Sequence, residues 1–240
     1  MSRPSLPAVP LTGEWFGKVN RFINQALNNR PVDMEQVLES NRINGLPSID
    51  VSPHIGKFLH LQALACGATK ILEIGTLGGY SSIWLAKALP ETGKLITLEY
   101  SQHHAEVAKA NIEKAGLSSK CEVRVGRAQD TLVTIDKNGE APFDLVFIDA
   151  DKDGYPEYLE WAIKLGRKGT VIIFDNAVQG GRIALDDDEI KDTHISYIKR
   201  VYEEVGKRPG VEATAIPTAN DRGIDGLLIA VITDEPKSKV

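Results

Sequence analysis

From Lys70 onward, short apolar runs alternate with longer stretches in which apolar residues recur every three or four positions. The short runs predict β-strands and the longer stretches predict amphipathic helices. The apolar runs are continuous, which is typical of parallel strands that are covered on both faces. The pattern predicts an α/β fold with strands at 70–75, 94–99, 121–126, 143–149 and 168–174 and helices at 79–89, 102–115, 128–136 and 155–165.

Ahead of this region, apolar residues at helical spacing predict an N-terminal helical extension. Ser52 followed by Pro53 is typical of an N-cap and a first helical residue, so the last of these helices is expected to begin there. The first dozen residues are rich in proline and are expected to be loose. The predicted helices cover 15–27, 34–42 and 53–66.

The end of the chain completes the predicted sheet. A long acidic loop follows Asn176, a helix continues to about Val205, and two apolar runs come last, near 211–217 and 226–233. Too few residues separate these runs for a crossover helix, so they predict a hairpin and one antiparallel strand. The chain is interpreted as a single domain, with an extension at 1–48, a core at 49–233 and a tail at 234–240.

Three glycines stand where the first strand passes into a helix. Gly75, Gly78 and Gly79 allow a tight turn and let backbone amides approach a ligand closely. Their G-x-x-G-G spacing differs from the G-x-G-x-x-G of dinucleotide-binding folds. The turn alone fits either a nucleotide-like ligand or a tight connection without one.

Two acidic residues near this turn favour a ligand. Glu99 ends the second strand, where a carboxylate can accept hydrogen bonds from both hydroxyls of a ribose. Glu73 lies inside the first strand, and a carboxylate within an apolar strand needs a partner. That partner is either a ligand ammonium, a set of backbone amides or an internal structural hydrogen bond.

Oxygen-bearing side chains end the fourth and fifth strands. Asp149 follows one strand, and Asp175 and Asn176 follow the other. Because the carboxyl ends of parallel strands meet at one edge of a sheet, these residues are expected beside the glycine turn. Carboxylate and amide oxygens are the ligands that Mg²⁺ prefers. The sequence therefore predicts a cation next to a bound cofactor, which points to an enzyme.

Composition narrows the class of partner. The 240 residues are 42% hydrophobic and 25% charged, with a formal net charge of −5. This charge argues against a nucleic-acid surface, and no apolar run is long enough to span a membrane. Cys66 and Cys121 are predicted to be reduced and mostly buried, which favours a cytoplasmic location.

Several of these segments together resemble one family of enzymes. The motifs LEIGTLGGYS at 72–81, IDADKDGY at 148–155 and DNAVQGGR at 175–182, with Glu99 and the segment 126–130, are similar to the cation-dependent S-adenosylmethionine O-methyltransferases. That family includes catechol and caffeoyl-coenzyme A O-methyltransferases. The resemblance implies a Rossmann-like, seven-stranded methyltransferase sheet, mostly parallel with one antiparallel strand, with helices on both faces and extra N-terminal helices.

The resemblance also implies roles for individual residues. Lys152 would be the general base beside a divalent cation such as Mg²⁺, where its ammonium form is disfavoured. The acceptor would be a small aromatic hydroxyl compound, catechol-like or phenylpropanoid, and the protein a homodimer. The implied residues are Lys152 and Asp149 for catalysis, Glu73, Gly75, Ser81, Glu99, Ala128 and Asp149 for S-adenosylmethionine, and Asp149, Asp175 and Asn176 for the metal.

Other residues near these motifs have structural interpretations as well. Arg182 either binds an anionic substrate group or forms a structural ion pair. The segment 218–224 is longer than the usual turn of the family, which leaves the acceptor open. Tyr155 and Trp161 are interpreted as packing residues, and the histidines expected at the surface or at helix ends are His54, His103 and His104.

Three alternative functions differ from this interpretation. A nicotinamide-dependent oxidoreductase would use a similar sheet, but the sequence lacks both the G-x-G-x-x-G spacing and a Ser/Tyr/Lys set for hydride transfer. An RNA hydroxyl methyltransferase would share the chemistry, and the acidic charge disfavours it. A module that binds the cofactor without turnover is disfavoured by the metal residues and Lys152.

Overall fold

A computed structural model describes residues 12–27 and 32–235. The N-terminal residues 1–11 and the end of the tail, 236–240, for which the sequence predicts loose structure and a tail, lie outside the described residues. The helices are α1 (Gly13–Leu27), α2 (Val32–Ile43), α3 (Pro53–Ala65), α4 (Tyr80–Ala86), α5 (Gln102–Lys114), α6 (Ala128–Lys137), α7 (Tyr155–Lys164) and α8 (Thr193–Lys207), with short 3₁₀ helices at Lys152–Gly154 and Gln179–Ala184.

The described strands form one sheet. They are β1 (Lys70–Ile74), β2 (Lys94–Glu99), β3 (Cys121–Val125), β4 (Leu145–Ile148), β5 (Val171–Phe174), β6 (Val211–Asn220) and β7 (Gly223–Ile232), and their order across the sheet is β3-β2-β1-β4-β5-β7-β6. The pairs from β3 to β5 are parallel, whereas β7 runs antiparallel to both β5 and β6. The predicted fold class is confirmed, including its antiparallel strand.

Both faces of the sheet are buried along β1, β2, β4 and β5, which explains why these strands are mostly apolar, whereas no residue of the edge strand β6 is fully buried. Successive residues of a strand face opposite sides. Ile71 and Phe147 belong to a core shared with α3, α4 and α5. Leu72 and Ile148 belong to a second core shared with α6, α7 and α8.

The N-terminal helices pack on this core. α1 contacts α3 and β6, and α2 contacts α4 and α5. Close packing of α1 on the hairpin needs small residues, because a Cβ at Gly13 would lie 2.8 Å from the carbonyl oxygen of Asp221. The third helix begins at Pro53 as predicted, but the Ser52 hydroxyl lies 3.2 Å from His54 Nε2 and makes no capping hydrogen bond.

The closing hairpin is longer than predicted. The strands were expected near 211–217 and 226–233, but their pairing continues to Asn220 and Gly223, so that Asp221 and Arg222 form the turn. The segment 218–224 is therefore mostly strand. The apolar pattern missed this extension because residues beyond the main core, such as Thr218 and Asp225, pair through their backbones.

Within residues 12–27 and 32–235, no helix combines the length and the apolar character that crossing a membrane requires.

Candidate active site

The turn after β1 brings this strand against the end of β4. Gly75 has a φ of +99°, and a Cβ there would lie 2.0 Å from the carbonyl oxygen of Asp149. The Asp149 amide donates to the carbonyl of Ile74 over 2.9 Å. Glycine is therefore needed at position 75 for both its conformation and its lack of a side chain. The result is that the glycine turn and Asp149 are direct neighbours.

Glu99, at the end of β2, fixes the same turn. Its Oε2 accepts from the backbone amides of Thr76 over 3.2 Å and Leu77 over 2.8 Å, and its Oε1 accepts from the amide of Ser101 over 2.9 Å. His104 Nδ1 lies 3.5 Å from Oε1. The carboxylate thus orders the turn through backbone groups.

Glu73 lies beneath the turn. Its side chain is fully buried, and its Oε2 accepts from the hydroxyls of Ser82 and Thr97. Its Oε1 has no hydrogen bond of normal geometry among the described residues. Burial raises the pKa of Glu73 to about 7, and hydrogen bonds from Ser81, Ser82 and Thr97 oppose that rise. Since Glu73 does not line the cavity described next, the internal hydrogen-bonding alternative fits this residue better than ligand contact.

A cavity of about 930 Å³ opens at the carboxyl ends of the parallel strands. Its walls include residues at the ends of β1 and β2, residues that directly follow β4 and β5, the start of α6, the loop 49–52 and the tip of the hairpin. It brings together all but one of the site residues that the sequence predicts: Gly75, Ser81, Glu99, Ala128, Asp149, Lys152, Asp175 and Asn176, but not Glu73.

The predicted metal residues share one wall of this cavity. Burial and the negative charge of Asp149 raise the pKa of Asp175 to about 7. Asn176 has a φ of +52°, and its Nδ2 donates to Asp225 Oδ2 over 3.3 Å. No side chain among the described residues is hydrogen-bonded to its Oδ1, so this oxygen is available as a ligand. Among the described residues, no three His, Cys, Asp or Glu side chains are grouped to hold a metal. Two carboxylates and one amide oxygen still suit a hard cation that keeps some waters.

Lys152 is held beside these residues by three acceptors. Its Nζ lies 3.3 Å from Asp149 Oδ1, 3.0 Å from the carbonyl of Ala150 and 2.5 Å from the hydroxyl of Tyr155. That hydroxyl donates to the carbonyl of Asp175 over 3.0 Å. Burial, followed by the charges of Asp149 and Asp175, raises the pKa of Tyr155, so its hydroxyl keeps its proton. Tyr155 therefore orients Lys152 as well as packing in the core.

Sequence reasoning missed two more residues of this site. Asp225 accepts from the backbone amides of Val178, Gln179 and Gly226 and so ties β7 to the segment after β5. His104 was expected at the surface, yet it lines the cavity beside Glu99. The available sequence signal for Asp225 was its position directly before Gly226. The structure shows why glycine is needed there, since a Cβ at Gly226 would lie 2.4 Å from Val178 Cγ2.

Several other residues that the sequence analysis named do not line this cavity. Arg182 is exposed and donates to the carbonyl of Gln179 over 2.8 Å, and it lines a smaller neighbouring cavity. Trp161 packs against the core of α6, α7 and α8, as interpreted. His54 is partly buried, and burial lowers its pKa. Cys66 and Cys121 are both free thiols, half-buried and buried.

Sequence comparison identifies the family. Residues 25–229, most of the chain, match the sequence profile of the O-methyltransferase family. The chain belongs to the O-methyltransferase family. A catechol O-methyltransferase of Niastella koreensis is 40% identical over 222 residues, 92% of this chain and 100% of that protein. A catechol O-methyltransferase of Mycobacterium tuberculosis is 43% identical over 214 residues, 89% of this chain and 94% of that protein.

Solved structures of O-methyltransferases share the fold. One from Bacillus cereus, in complex with SAH, has a TM-score of 0.88 and 46% identity, covering 91% of this chain and 99% of that chain. One from Streptomyces achromogenes, involved in tomaymycin synthesis and in complex with SAM, has a TM-score of 0.88 and 41% identity, covering 93% and 100%. The predicted family is confirmed, and the oxidoreductase alternative is set aside.

Proposed function

We propose that this chain transfers a methyl group from S-adenosylmethionine to a hydroxyl of a small aromatic diol, with a divalent cation in the same cavity. The position of Asp149 carries this proposal. Its carbonyl lies against Gly75 at the glycine turn, and its carboxylate pairs with Lys152. The methyl donor, the oxygen ligands and the proton acceptor would therefore meet at one residue.

The methyl donor is proposed to bind on the side of the cavity formed by the ends of β1, β2 and β3. Gly75, Ser81, Glu99 and Ala128 line this side. A carboxylate offers about four acceptor sites, and backbone amides use three of those of Glu99. The remaining capacity suits a ribose hydroxyl. The fold shared with relatives that were solved with SAM or SAH supports the same placement.

A cation such as Mg²⁺ is proposed to lie among Asp149, Asp175 and Asn176. The raised pKa of Asp175 reflects burial and a second carboxylate nearby, an arrangement that a divalent cation stabilises. The free Asn176 Oδ1 provides a neutral oxygen ligand. When bound, such a cation lowers the pKa of the acceptor hydroxyl and fixes the position of its oxygen.

Lys152 is proposed to take the proton of the acceptor hydroxyl. The oxygen then forms a bond to the methyl carbon as the carbon–sulfur bond breaks, and Lys152 keeps the proton. Its three neighbours, Asp149, the carbonyl of Ala150 and Tyr155, match the three N–H groups of an ammonium. These contacts fix the position of Nζ beside Asp149.

A methyl-transfer screen tests the function. S-adenosylmethionine labelled on its methyl group is incubated with catechols, phenylpropanoid thioesters, flavonoids and an RNA pool, with and without EDTA. We expect transfer to at least one diol, its loss with EDTA and its recovery with added Mg²⁺. Asp175→Asn should remove this activity, whereas Asp188→Asn, in an exposed loop, is the matched control. Transfer that survives EDTA would argue against the cation, and transfer to RNA alone would favour the RNA alternative.

We also propose a homodimer in the cytoplasm. Phe22 on α1 and Leu64 on α3 are 70% and 52% exposed, and the two helices pack against each other, so a second copy has an apolar surface to cover. The free thiols of Cys66 and Cys121 fit a reducing compartment. Sedimentation of a monomer at micromolar concentration would contradict the dimer.

A further inference from the structure

Two buried amide side chains connect two segments that form parts of the cavity wall. Asn41 on α2 is 2% exposed, and Asn111 on α5 is 4% exposed. Asn41 Nδ2 donates to Asp50 Oδ1 over 2.8 Å, and Asn41 Oδ1 accepts from Asn111 Nδ2 over 2.9 Å. Asn111 Nδ2 also donates to the carbonyl of Gly78 over 2.9 Å. A continuous series of hydrogen bonds therefore runs from Asp50 to the glycine turn.

The contact between Asn41 and the turn is close. A Cβ at Gly78 would lie 1.9 Å from Asn41 Oδ1, so position 78 needs glycine for this approach rather than for its backbone angles. Displacing Asn41 would also remove the amide donor to Asp50 Oδ1 and one of the two acceptors of Asn111 Nδ2. The side chain and the turn are therefore expected to move together.

The other end of the series is the loop 48–52, which lies beside the glycine turn in the cavity wall. Residues 49–52 of this loop line the cavity. Arg222, at the tip of the hairpin, donates to the carbonyls of Ser48 over 3.1 Å and Asp50 over 3.2 Å. Asp50 is thus held twice, by its side chain to Asn41 and by its backbone to Arg222.

We propose that Asn41 is a positioning residue that couples this loop to the glycine turn, so that the two substrates bind cooperatively. The inference rests on the proposed function, in which the donor occupies the turn, and it adds that the acceptor contacts 49–52. Asn41 does not line the cavity, so it would contact neither substrate. Binding of one substrate orders one end of this series of hydrogen bonds, and Asn41 passes that order to the other end. The second substrate then binds to a segment that is already ordered, so its affinity is higher.

Calorimetric titration with S-adenosylhomocysteine tests this coupling, because this product cannot donate a methyl group. Its dissociation constant is measured in Mg²⁺ with and without saturating catechol. We expect the wild-type chain to bind it at least about fivefold more tightly with catechol present. In Asn41→Ala, we expect the ratio of the two constants to fall to about one, because the connection between the loop and the turn is lost.

Two further variants keep the test decisive. Asn44→Ala is the matched control, because it removes the same side chain from an exposed position just beyond α2, and its ratio should equal that of the wild type. Arg222→Met weakens the series from the loop end, and the exposure of Arg222 makes folding of this variant expected. Its ratio should fall below that of the wild type.

The outcomes separate the coupling from the function. A wild-type ratio of about one overturns the inference, and so does an unchanged ratio in Asn41→Ala, even with a lower Tm. If Asn41→Ala does not fold, an unchanged ratio in Arg222→Met overturns it. Methyl transfer to the same catechol is assayed in parallel. Its absence contradicts the proposed function, whereas transfer with a wild-type ratio of about one contradicts the coupling alone.

Discussion

The two walls of the cavity are built in different ways. The donor wall, at the glycine turn, is part of the sheet: Gly75 lies against the backbone of Asp149, and Glu99 binds backbone amides of the turn. The proposed acceptor wall is assembled from the loop 48–52 and the tip of the hairpin, which lie far apart in the sequence. Single hydrogen bonds from side chains to carbonyls hold it, as from Arg222 to Ser48.

Because the two walls are built differently, substitutions in them are expected to have different effects. A change in the donor wall alters strand ends and should affect donor binding and folding together. A change in the acceptor wall alters segments laid over the sheet and should affect binding of the acceptor, and binding of the donor only when the acceptor is present. Asp149 stands between the walls, so its substitution should have the largest effect on turnover.

Asp149→Ala should nearly abolish transfer, since both the cation and Lys152 lose a partner. We expect kcat to fall on the order of a thousandfold, whereas the dissociation constant of S-adenosylhomocysteine should change by less than about tenfold. Single-turnover assays and calorimetry give the two quantities. Near wild-type turnover with added Mg²⁺ would remove Asp149 from the metal site.

Lys152→Met should lower kcat by about a hundredfold or more, because no other group then takes the proton. Tyr155→Phe removes one of the three acceptors around Nζ and should cost about tenfold or less. Neither change should alter binding of the donor. Lys168→Met, at an exposed position, serves as the control. Equal losses in all three variants would contradict a specific role for Lys152.

Glu99→Ala should act on the donor wall. It removes a charged acceptor of backbone hydrogen bonds and of the proposed ribose hydrogen bond. Such an acceptor contributes roughly 1.5–3 kcal/mol, so the dissociation constant of the donor should rise more than about tenfold. The KM of the acceptor should stay nearly unchanged. Glu106→Ala, on the exposed side of α5, is the control for calorimetry. An unchanged affinity would exclude Glu99 from the donor site.

Glu73 should give a smaller effect, visible in stability against pH. Burial raises the pKa of Glu73 from 4.5 to about 7, so the folded chain binds this proton more tightly than the unfolded chain. Its contribution is complete below pH 4.5 and is lost as the pH rises towards 7. Glu73→Gln should remove this dependence, a difference on the order of 2 kcal/mol between the ends of that range. Urea unfolding at several pH values measures the free energy of unfolding of both proteins. Parallel profiles of this free energy against pH for the wild type and Glu73→Gln would contradict the prediction.

The sequence predicted the donor wall better than the acceptor wall. The apolar strands, Gly75, Glu99 and the acidic strand ends are local features, and the sheet brings strand ends together by its topology. Glu73 shows the limit of that reasoning. The alternation of a strand says that its side chain is buried, but not whether a ligand or Thr97 provides its partner.

The acceptor wall depends on contacts that no local pattern encodes. The bond from Arg222 to Ser48 joins residues 174 positions apart, and the bond from Asn20 to Ala219 joins residues 199 apart. His104 was placed at the surface because it begins a helix, yet its ring turns towards Glu99. Such long-range hydrogen bonds depend on how helices and hairpins pack on the sheet.

The hairpin of β6 and β7 extends beyond the rest of the sheet, and this extension can vary in length. β7 pairs with β5 only over residues 228–231, and from there to the turn the two arms of the hairpin pair with each other. Adding or removing one residue from each arm near Asp221 keeps every remaining side chain on its face. Changes in the length of the hairpin can thus alter the proposed acceptor site while the residues of the proposed donor site stay as they are.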